Sequence, residues 1–511
     1  PDSGTQVILG GGPTGPTVFP LPEDDPSHEV DLAALRAADV SLWVEGLEFA
    51  GEVKLEMEVN DGTGSTCSDQ IQLKVAPLIL LGHLADPMRS YVSRIGESAS
   101  EDPVEVVAES TAYTTQRFPG ATPGGVIDEI IGDALNGNVD RWAQDEFQIG
   151  FQEAPYNGMY VVLDSKRDRE LEPFPLSLLG VDFGHVQISS LGVPRNSLDS
   201  FGNLEVSPPC VVQGTAYPLG RIYYGDGGVG GRQIDPKLRA FLARQQVQSP
   251  VTLNSDWLLV GHVDEFMSIV PNVYATHGWT VLLADPQLAL DVLEGDALVP
   301  GGVEPYLHIP RYRDHDNKNV NPPWEVDTVA LLLGRPLDSP QSEYIDGYNS
   351  STGPLATIVA DLSGDISDAF GLQSSDDVLP VPVLFNHIDD PRLGTGTLAI
   401  TPDLANGASY SNVYIAPDPF LHTFDRDNPP VEEDLNSNFE LDPGEDSNQN
   451  QKLDTYRDPF RVWLNQNMPG DISIEYIDDW YLYHLAYGEV HCSSNEQRAV
   501  PVSPKWWEQT P

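Results

Sequence analysis

Residues Trp279–Leu293, WTVLLADPQLALDVL, decide the architectural class. Trp279–Ala284 is a short apolar run of strand type, and Leu288, Leu290, Val292 and Leu293 behind it belong to a helical stripe. Working outward, strand-like runs recur at Tyr160–Leu163, Trp257–Val263, Val381–Phe385 and Val413–Ala416. Helical patterns lie between them: Val126, Ile127, Ile130, Ile131, Ala134 and Leu135 make one stripe, and Leu238, Phe241 and Leu242 begin another. This alternation predicts one large α/β domain from about residue 77 to 511. Upstream the texture differs. Val53–Val59 (VKLEMEV) alternates apolar and charged residues, Asn60-Asp61-Gly62 reads as a turn, and Gln70–Val75 alternates again. A small β-sandwich, or part of one, is expected within residues 1–76, after an irregular Gly/Pro-rich segment at 1–30.

Composition narrows the function classes. The 511 residues carry 27 Lys+Arg against 78 Asp+Glu, a formal charge of −51. Nucleic acid is excluded as a partner on this balance, because phosphate binding needs clustered basic residues. Cations, whether metal ions or cationic substrates, are attracted. At 40% hydrophobic residues the chain can build a sizeable core, which rules out wholesale disorder. No apolar run approaches the roughly 18–20 residues of a membrane span, so a soluble chain without a membrane partner is expected. Three cysteines, Cys67, Cys210 and Cys492, make no disulfide framework, and their odd number leaves at least one free thiol. The chain opens Pro1-Asp2 without Met, in keeping with a leader already removed.

Residues 424–458 are rich in Asp, Asn, Glu and Pro. Such a stretch is ordinarily a solvated loop, but its spacing is regular. Asp434, Asn436, Asn438 and Asp442 occupy positions 1, 3, 5 and 9 of a D-x-N-x-N-x3-D pattern, repeated twelve residues on as Asp446, Asn448, Asn450 and Asp454. Alternate oxygen side chains in a tight loop converge on a centre that suits Ca²⁺. The sixth-position glycine of an EF-hand is missing in both copies (Phe439 and Gln451), so tandem calcium loops without flanking helices fit better, in a structural role.

Reactive residues cluster in three short stretches. Cys492 stands in Gly488–Asn495 (GEVHCSSN); beside small residues alone, such a cysteine is usually inert. His262 and Asp264, in Gly261–Phe266 (GHVDEF), are two apart after a predicted strand and face one way on an extended chain. Trp142-Ala-Gln-Asp145 offers a carboxylate beside a flat apolar wall. Two carboxylates, an imidazole and a thiol suit the planar guanidinium: carboxylates bind its N–H edges, a thiolate attacks its carbon, and the imidazole protonates departing ammonia. His484 and His491 flank the site and are assigned to packing.

These stretches resemble the peptidylarginine deiminases, calcium-dependent enzymes that convert arginine in proteins to citrulline. The resemblance rests on Trp142–Gly150 (WAQDEFQIG), Val161–Arg169 (VVLDSKRDR), Leu198–Pro209 (LDSFGNLEVSPP), Tyr217–Arg221 (YPLGR), Asp256–Phe266 (DWLLVGHVDEF), Gly488–Cys492 (GEVHC) and Lys505-Trp506-Trp507. It runs in the family's order from about Val75 to the end. It implies a five-fold pseudosymmetric α/β propeller (pentein-type) catalytic domain, preceded by an immunoglobulin-like domain, with no room for the family's first N-terminal domain.

By motif, the resemblance implies Cys492 as nucleophile, His262 as general acid/base, Asp145 and Asp264 as guanidinium clamps, and Trp142 along the substrate's aliphatic stem. Arg167 and Arg169 match arginines that hold the substrate backbone, which favours arginine-containing proteins or peptides as substrates. Several Ca²⁺ ions are implied. One site would use Gln144, Gln148, Glu205 and the carbonyls of Phe201 and Leu204, with Gln148 standing where the family has Glu. Another would use Glu146, Asp164, Ser165 and Asp168, with Asp168 replacing Asn. Ala486-Tyr487 stand where better-known members carry basic residues, so a less cationic pocket rim is expected. The loops at 434–454 look like an insertion absent from animal members, of a kind found in bacterial extracellular proteins, and point to secretion.

Three rivals remain. A related enzyme could act on free arginine, agmatine or a methylarginine; Arg167 and Arg169 argue against it. A papain-like protease places its Cys before its His, the reverse of the order here. A catalytically silent calcium-binding module has no support, since every expected catalytic residue type is present.

Overall fold

The computed structural model describes residues 6–10, 16–20, 41–44, 52–60, 63, 65–93 and 127–130, and 140–508 apart from 156, 168, 170, 172, 296–305, 309–325, 339–342, 425–457 and 481. The tandem acidic loops, Asp434 to Asp454, therefore lie outside the described residues, as does Asp168.

The apolar run at the centre of the chain becomes the strand Trp279–Asp285, buried along nearly its whole length. It pairs antiparallel with Met267–Pro271 and parallel with Val378–Pro382. An antiparallel neighbour needs only a short turn, whereas the parallel one needs a crossover, here containing the helices Pro286–Gly295 and Pro354–Phe370. The same hairpin-then-crossover pattern recurs four more times. Phe147–Ala154 pairs antiparallel with Asn157–Asp164, which runs parallel to Phe183–Gln187. Leu204–Val206, Ile222–Asp226 and Val251–Asn254 repeat it, with the helix Pro236–Arg244 in the crossover. Ala408–Tyr410, Val413–Pro417 and Ser473–Ile477 repeat it again around the helix Pro459–Asn467. In the last unit the C-terminal strand Ser494–Arg498 supplies the first position, antiparallel to Pro87–Ser93, which runs parallel to Ile127–Ile130. The two ends of this mixed α/β assembly are thus stitched into one sheet.

The principal core gathers Trp279, Tyr223, Phe266, Phe370, Tyr414, Trp480 and Tyr483. Trp279 sits edge-on to Phe370 and donates its indole N–H to the carbonyl of Pro209 at 3.1 Å.

Several sequence expectations change. Ile127–Ile130 is a strand, not part of a helix, because pairing with Pro87–Ser93 overrides a local helical period. Trp257–Val263 forms no strand beyond one isolated bridge, Leu258 to Thr397. Arg232 takes the carbonyls of Leu258, Leu259 and Val260, where a strand neighbour would have been, and Gly261 at φ +94° turns the chain away. The run Val381–Phe385 is divided between two strands, one ending at Pro382 and one starting at Phe385. Residues 1–30, read as irregular, contain Gln6–Gly10 and Pro16–Pro20, which pair with each other, and the first also pairs with Ser41–Val44. Glu52–Asn60 and Thr66–Lys74 form an antiparallel hairpin as the alternation requires. None of the described helices is long and apolar enough to cross a membrane.

Trp279→Ala removes the largest side chain of the central sheet and its one polar anchor. The expected cost is about 3–5 kcal/mol, read as a lower urea midpoint with a largely unchanged slope.

Candidate active site

In four of the five units the first strand is preceded by one helical turn: Ala143–Glu146, Phe201–Asn203, Val263–Glu265 and Val490–Ser493. In the fifth, the loop 403–407 leads into Ala408–Tyr410. These turns pack against one another, and the three reactive stretches meet there.

Cys492 is buried, with Sγ 3.1 Å from Asp264 Oδ2 and 3.2 Å from Asn406 Nδ2. Asn406 also accepts from the backbone N–H of His491 at 3.1 Å, which ties the loop to the turn. Asp145 Oδ1 lies 3.4 Å from His262 Nδ1, and Asp264 Oδ1 lies 3.9 Å from the same nitrogen. His262 Nε2 meets the carbonyl of Ser197 at 2.8 Å, which fixes the ring and leaves Nδ1 toward the carboxylates. The two residues do share a direction, but through a 3-10 turn rather than an extended chain.

Gly202 lies at the centre of this group. A Cβ there would fall 2.7 Å from Asp145 Oδ1, 2.7 Å from His262 Nδ1 and 2.9 Å from Asp264 Oδ2. Its lack of a side chain makes the convergence possible. Gly488 does the same for Trp142, whose indole would lie 2.6 Å from an added Cβ. Trp142, Asp145, His262, Glu265 and Cys492 line one cavity of ≈ 430 Å³.

Burial, with Asp264 and Asp145 adding to it, pushes the Cys492 thiol well above its ordinary range. Burial also raises Asp145, although Arg167 and His262 pull the other way. Glu265 is raised well above the carboxylate range by burial, against the N–H groups of His262 and Gly261 that bond it. Buried carboxylates beside a thiol whose ionisation burial opposes make the cavity receptive to positive charge. A planar cation entering it would neutralise the carboxylates and lower the thiol together.

The rim differs from expectation. Ala486 and Tyr487 do line it, but so do Lys166, Arg167, Arg169, Arg195, Arg232 and Arg392, supplied by other loops. Arg167 is nearly buried and binds Asp140 Oδ2 at 2.6 Å and Asp145 Oδ2 at 2.6 Å, so it occupies one edge of the carboxylate expected to hold substrate. Arg169 is half exposed, 3.9 Å from Asp140.

The expected cation ligands fall in two places. Glu146 and Asp164 are both buried, and Ser165 N–H donates to the Glu146 carbonyl at 2.9 Å. Asp164 Oδ2 meets His185 Nε2 at 2.8 Å while its buried Oδ1 has no hydrogen-bond partner among the described residues. Hard buried oxygens of this kind fit Ca²⁺. The second group is assembled too, but its donors are spoken for: Gln144 Nε2 meets Phe201 O at 3.3 Å and Glu205 Oε1 at 3.0 Å, and Gln148 Nε2 donates to Leu204 O at 2.8 Å. Its single carboxylate, Glu205, is also bonded by His83 at 2.5 Å and approached by His491 at 3.6 Å. One carboxylate shared with two imidazoles is a poor calcium site.

Residues 65–321 and 465–508 match the family profile of Protein-arginine deiminase (PAD). The chain belongs to the protein-arginine deiminase family. Among its relatives, mouse protein-arginine deiminase type-4 is 29% identical over 92% of this chain and 63% of its own length. Human protein-arginine deiminase type-3 is 31% identical over 96% of this chain and 66% of its own. The chain thus spans just under two thirds of these relatives. Among solved structures, a C. jejuni agmatine deiminase is 9% identical over 83% of this chain and 96% of its own, at a TM-score of 0.41. A putative peptidyl-arginine deiminase, 11% identical, covers 83% of this chain and 99% of its own at the same TM-score of 0.41. The acidic loops at 434–454 fall between the two stretches that match the family.

Gly202, Asn406 and His83 were not singled out from the sequence. Gly202 lies inside a stretch that carries the resemblance, whereas Asn406 and His83 have no local signal at all.

Because the thiol is held protonated, alkylation of Cys492 by neutral iodoacetamide should still be accelerating at pH 9. Asp264→Asn removes one of the charges that raise it, so its alkylation profile should move to lower pH. An unshifted profile would show that the carboxylate does not act on the sulfur.

Proposed function

We propose that the chain catalyses calcium-dependent hydrolysis of peptidyl arginine to citrulline and ammonia through a covalent intermediate on Cys492. The observation that carries this is the thiol, the imidazole and the Asp145 carboxylate on one cavity beside an indole wall, with the Asp264 carboxylate buried against the sulfur. Asp145 and Asp264 take the N–H edges of the substrate guanidinium, and Arg167 moves from Asp145 to the substrate backbone, with Arg169 beside it. The incoming positive charge offsets the carboxylates, the thiol passes its proton to His262, and Sγ bonds to the guanidinium carbon. His262 protonates the departing nitrogen as the C–N bond breaks. Asn406 Nδ2 donates to the sulfur throughout. Water, deprotonated by His262, adds to the amidino-thioether; the C–S bond then breaks, giving citrulline and the free thiol. Calcium held by Glu146, Asp164 and Ser165 would supply positive charge behind the turn that carries Asp145.

The repeated hairpin-and-crossover sheets support closure into a five-fold propeller, with the segment before about residue 77 as a separate β-sandwich domain. The strongly acidic chain and the oxygen-rich loops at 434–454 support calcium binding there and an extracellular setting. A second reading, a small guanidine substrate such as free arginine, is favoured by the basic rim, which would grip a free α-carboxylate.

The test is ammonia and citrulline release from a blocked arginyl peptide and from free arginine, with calcium or chelator, beside Cys492→Ala. Calcium-dependent release from the peptide, abolished in Cys492→Ala, is expected. Release from free arginine alone would move the assignment to the small guanidine, and no release from either would end it. Calcium should also raise the melting temperature of wild-type protein more than that of Asp164→Asn, a readout independent of turnover.

A further inference from the structure

Outside the residues that line the cavity, three buried side chains from distant parts of the chain come together: His83, Glu205 and His491. His83 Nε2 and His491 Nε2 are 3.3 Å apart, and His491 Nε2 is 3.6 Å from Glu205 Oε1. Ligand atoms about 2.0–2.1 Å from a tetrahedral cation stand about 3.3 Å from each other, so these two spacings are close to the edges of a coordination tetrahedron, whereas the third, His83 Nε2 to Glu205 Oε2 at 2.5 Å, is a hydrogen bond that a bound cation would open. The imidazole rings, 4.8 Å apart and tilted by 37°, leave both nitrogens facing the same point.

The surrounding bonds prepare the donors. His491 Nδ1 lies 3.0 Å from Asp264 Oδ2, and a carboxylate on Nδ1 places the ring lone pair on Nε2, toward the cluster. His83 Nε2 lies 2.5 Å from Glu205 Oε2 while its Nδ1 has no hydrogen-bond partner among the described residues, so a bound cation would replace that hydrogen bond and leave the ring proton on Nδ1. Gln144 Nε2 supports Glu205 Oε1 at 3.0 Å. Two imidazoles and one carboxylate suit a borderline divalent cation of zinc type rather than calcium, which prefers six to eight oxygens.

We propose that His83, Glu205 and His491 bind a zinc-type divalent cation, which holds Asp264 beside the Cys492 thiol through the His491 ring. Three protein ligands leave a fourth position for water. The cation neutralises Glu205 and fixes His491, and His491 in turn fixes the carboxylate oxygen that lies 3.1 Å from Sγ. His83 and His491 act as positioning residues.

The test is titration of metal-stripped, full-length protein with Co²⁺ as the spectroscopic probe. One equivalent should give the intense visible bands of four-coordinate cobalt, displaced by equimolar Zn²⁺ and not by equimolar Ca²⁺. His83→Asn keeps a donor for Glu205 but removes a ring ligand, and should weaken Co²⁺ binding at least about tenfold. Absence of the bands, bands undiminished in His83→Asn, or displacement by equimolar Ca²⁺ would each overturn the site. The wild-type competition needs no variant, so a His83→Asn protein that fails to fold does not block the test. The site stands on its own three side chains; the deiminase reading is decided by ammonia release and this one by the cobalt spectrum.

Discussion

The constraint on which the site depends is the burial of several carboxylates around one thiol. Asp145, Glu146, Asp264, Glu265 and Glu205 are all nearly inaccessible to solvent. Each would cost several kcal/mol if left uncompensated. Compensation is uneven. Asp145 has Arg167, Glu265 has the N–H groups of Gly261 and His262, and Asp264 and Glu205 share His491. What is left over is a demand for positive charge at two points: in the cavity, and at Glu205, where the two imidazoles stand. Specificity for a cation then follows from electrostatics rather than from any single contact.

The fold brings those charges together at little local cost. Four units carry a helical turn before the first strand and the fifth a loop; the turns pack on one another, and Asn406 ties the loop to the turn that carries Cys492. Residues hundreds of positions apart become neighbours: His83 and His491 are separated by 408 positions, Cys492 and Asp264 by 228. The shared sheet of Pro87–Ser93 and Ser494–Arg498 joins the two ends of the described chain, and Arg498 at its edge donates to the His83 carbonyl at 2.6 Å. Turns of only three or four residues, anchored by a strand on one side, have little freedom, which is what a preorganised charge arrangement requires.

Much of this was legible in the sequence, and the reasons for the rest are specific. Apolar runs such as Trp279–Ala284 and Val413–Ala416 become buried strands because their own composition demands it. The stretches WAQDE, GHVDEF and GEVHC carry the site because each is a complete turn, whole in the local sequence. Ile127–Ile130 misled because a helical period there loses to a parallel partner almost forty residues away. The Trp257–Val263 run misled because its carbonyls are taken by Arg232, a residue outside the segment. The cationic rim was missed for the same reason: Arg195 and Arg392 reach it from loops with no motif of their own. Gly202, Asn406 and His83 matter only through what converges on them, and convergence leaves no local trace.

Two buried thiols show what distinguishes a reactive site from a packed one. Burial raises both Cys210 and Cys492. For Cys210, Arg221 and Ser207 pull the other way, and its neighbours are the edge of a small two-stranded sheet. Cys492 is raised further by carboxylates and opens on a cavity. A thiol silenced by burial alone stays silent. The part of the shift that nearby negative charge adds is relieved by a cation that satisfies that charge, so in the proposed mechanism the groups that bind the substrate would also favour the thiolate. In the proposed mechanism Asp264 would perform both tasks, since Oδ2 lies 3.1 Å from Sγ and Oδ1 lies 3.9 Å from His262 Nδ1, and a cation held by His491 would act on that same carboxylate.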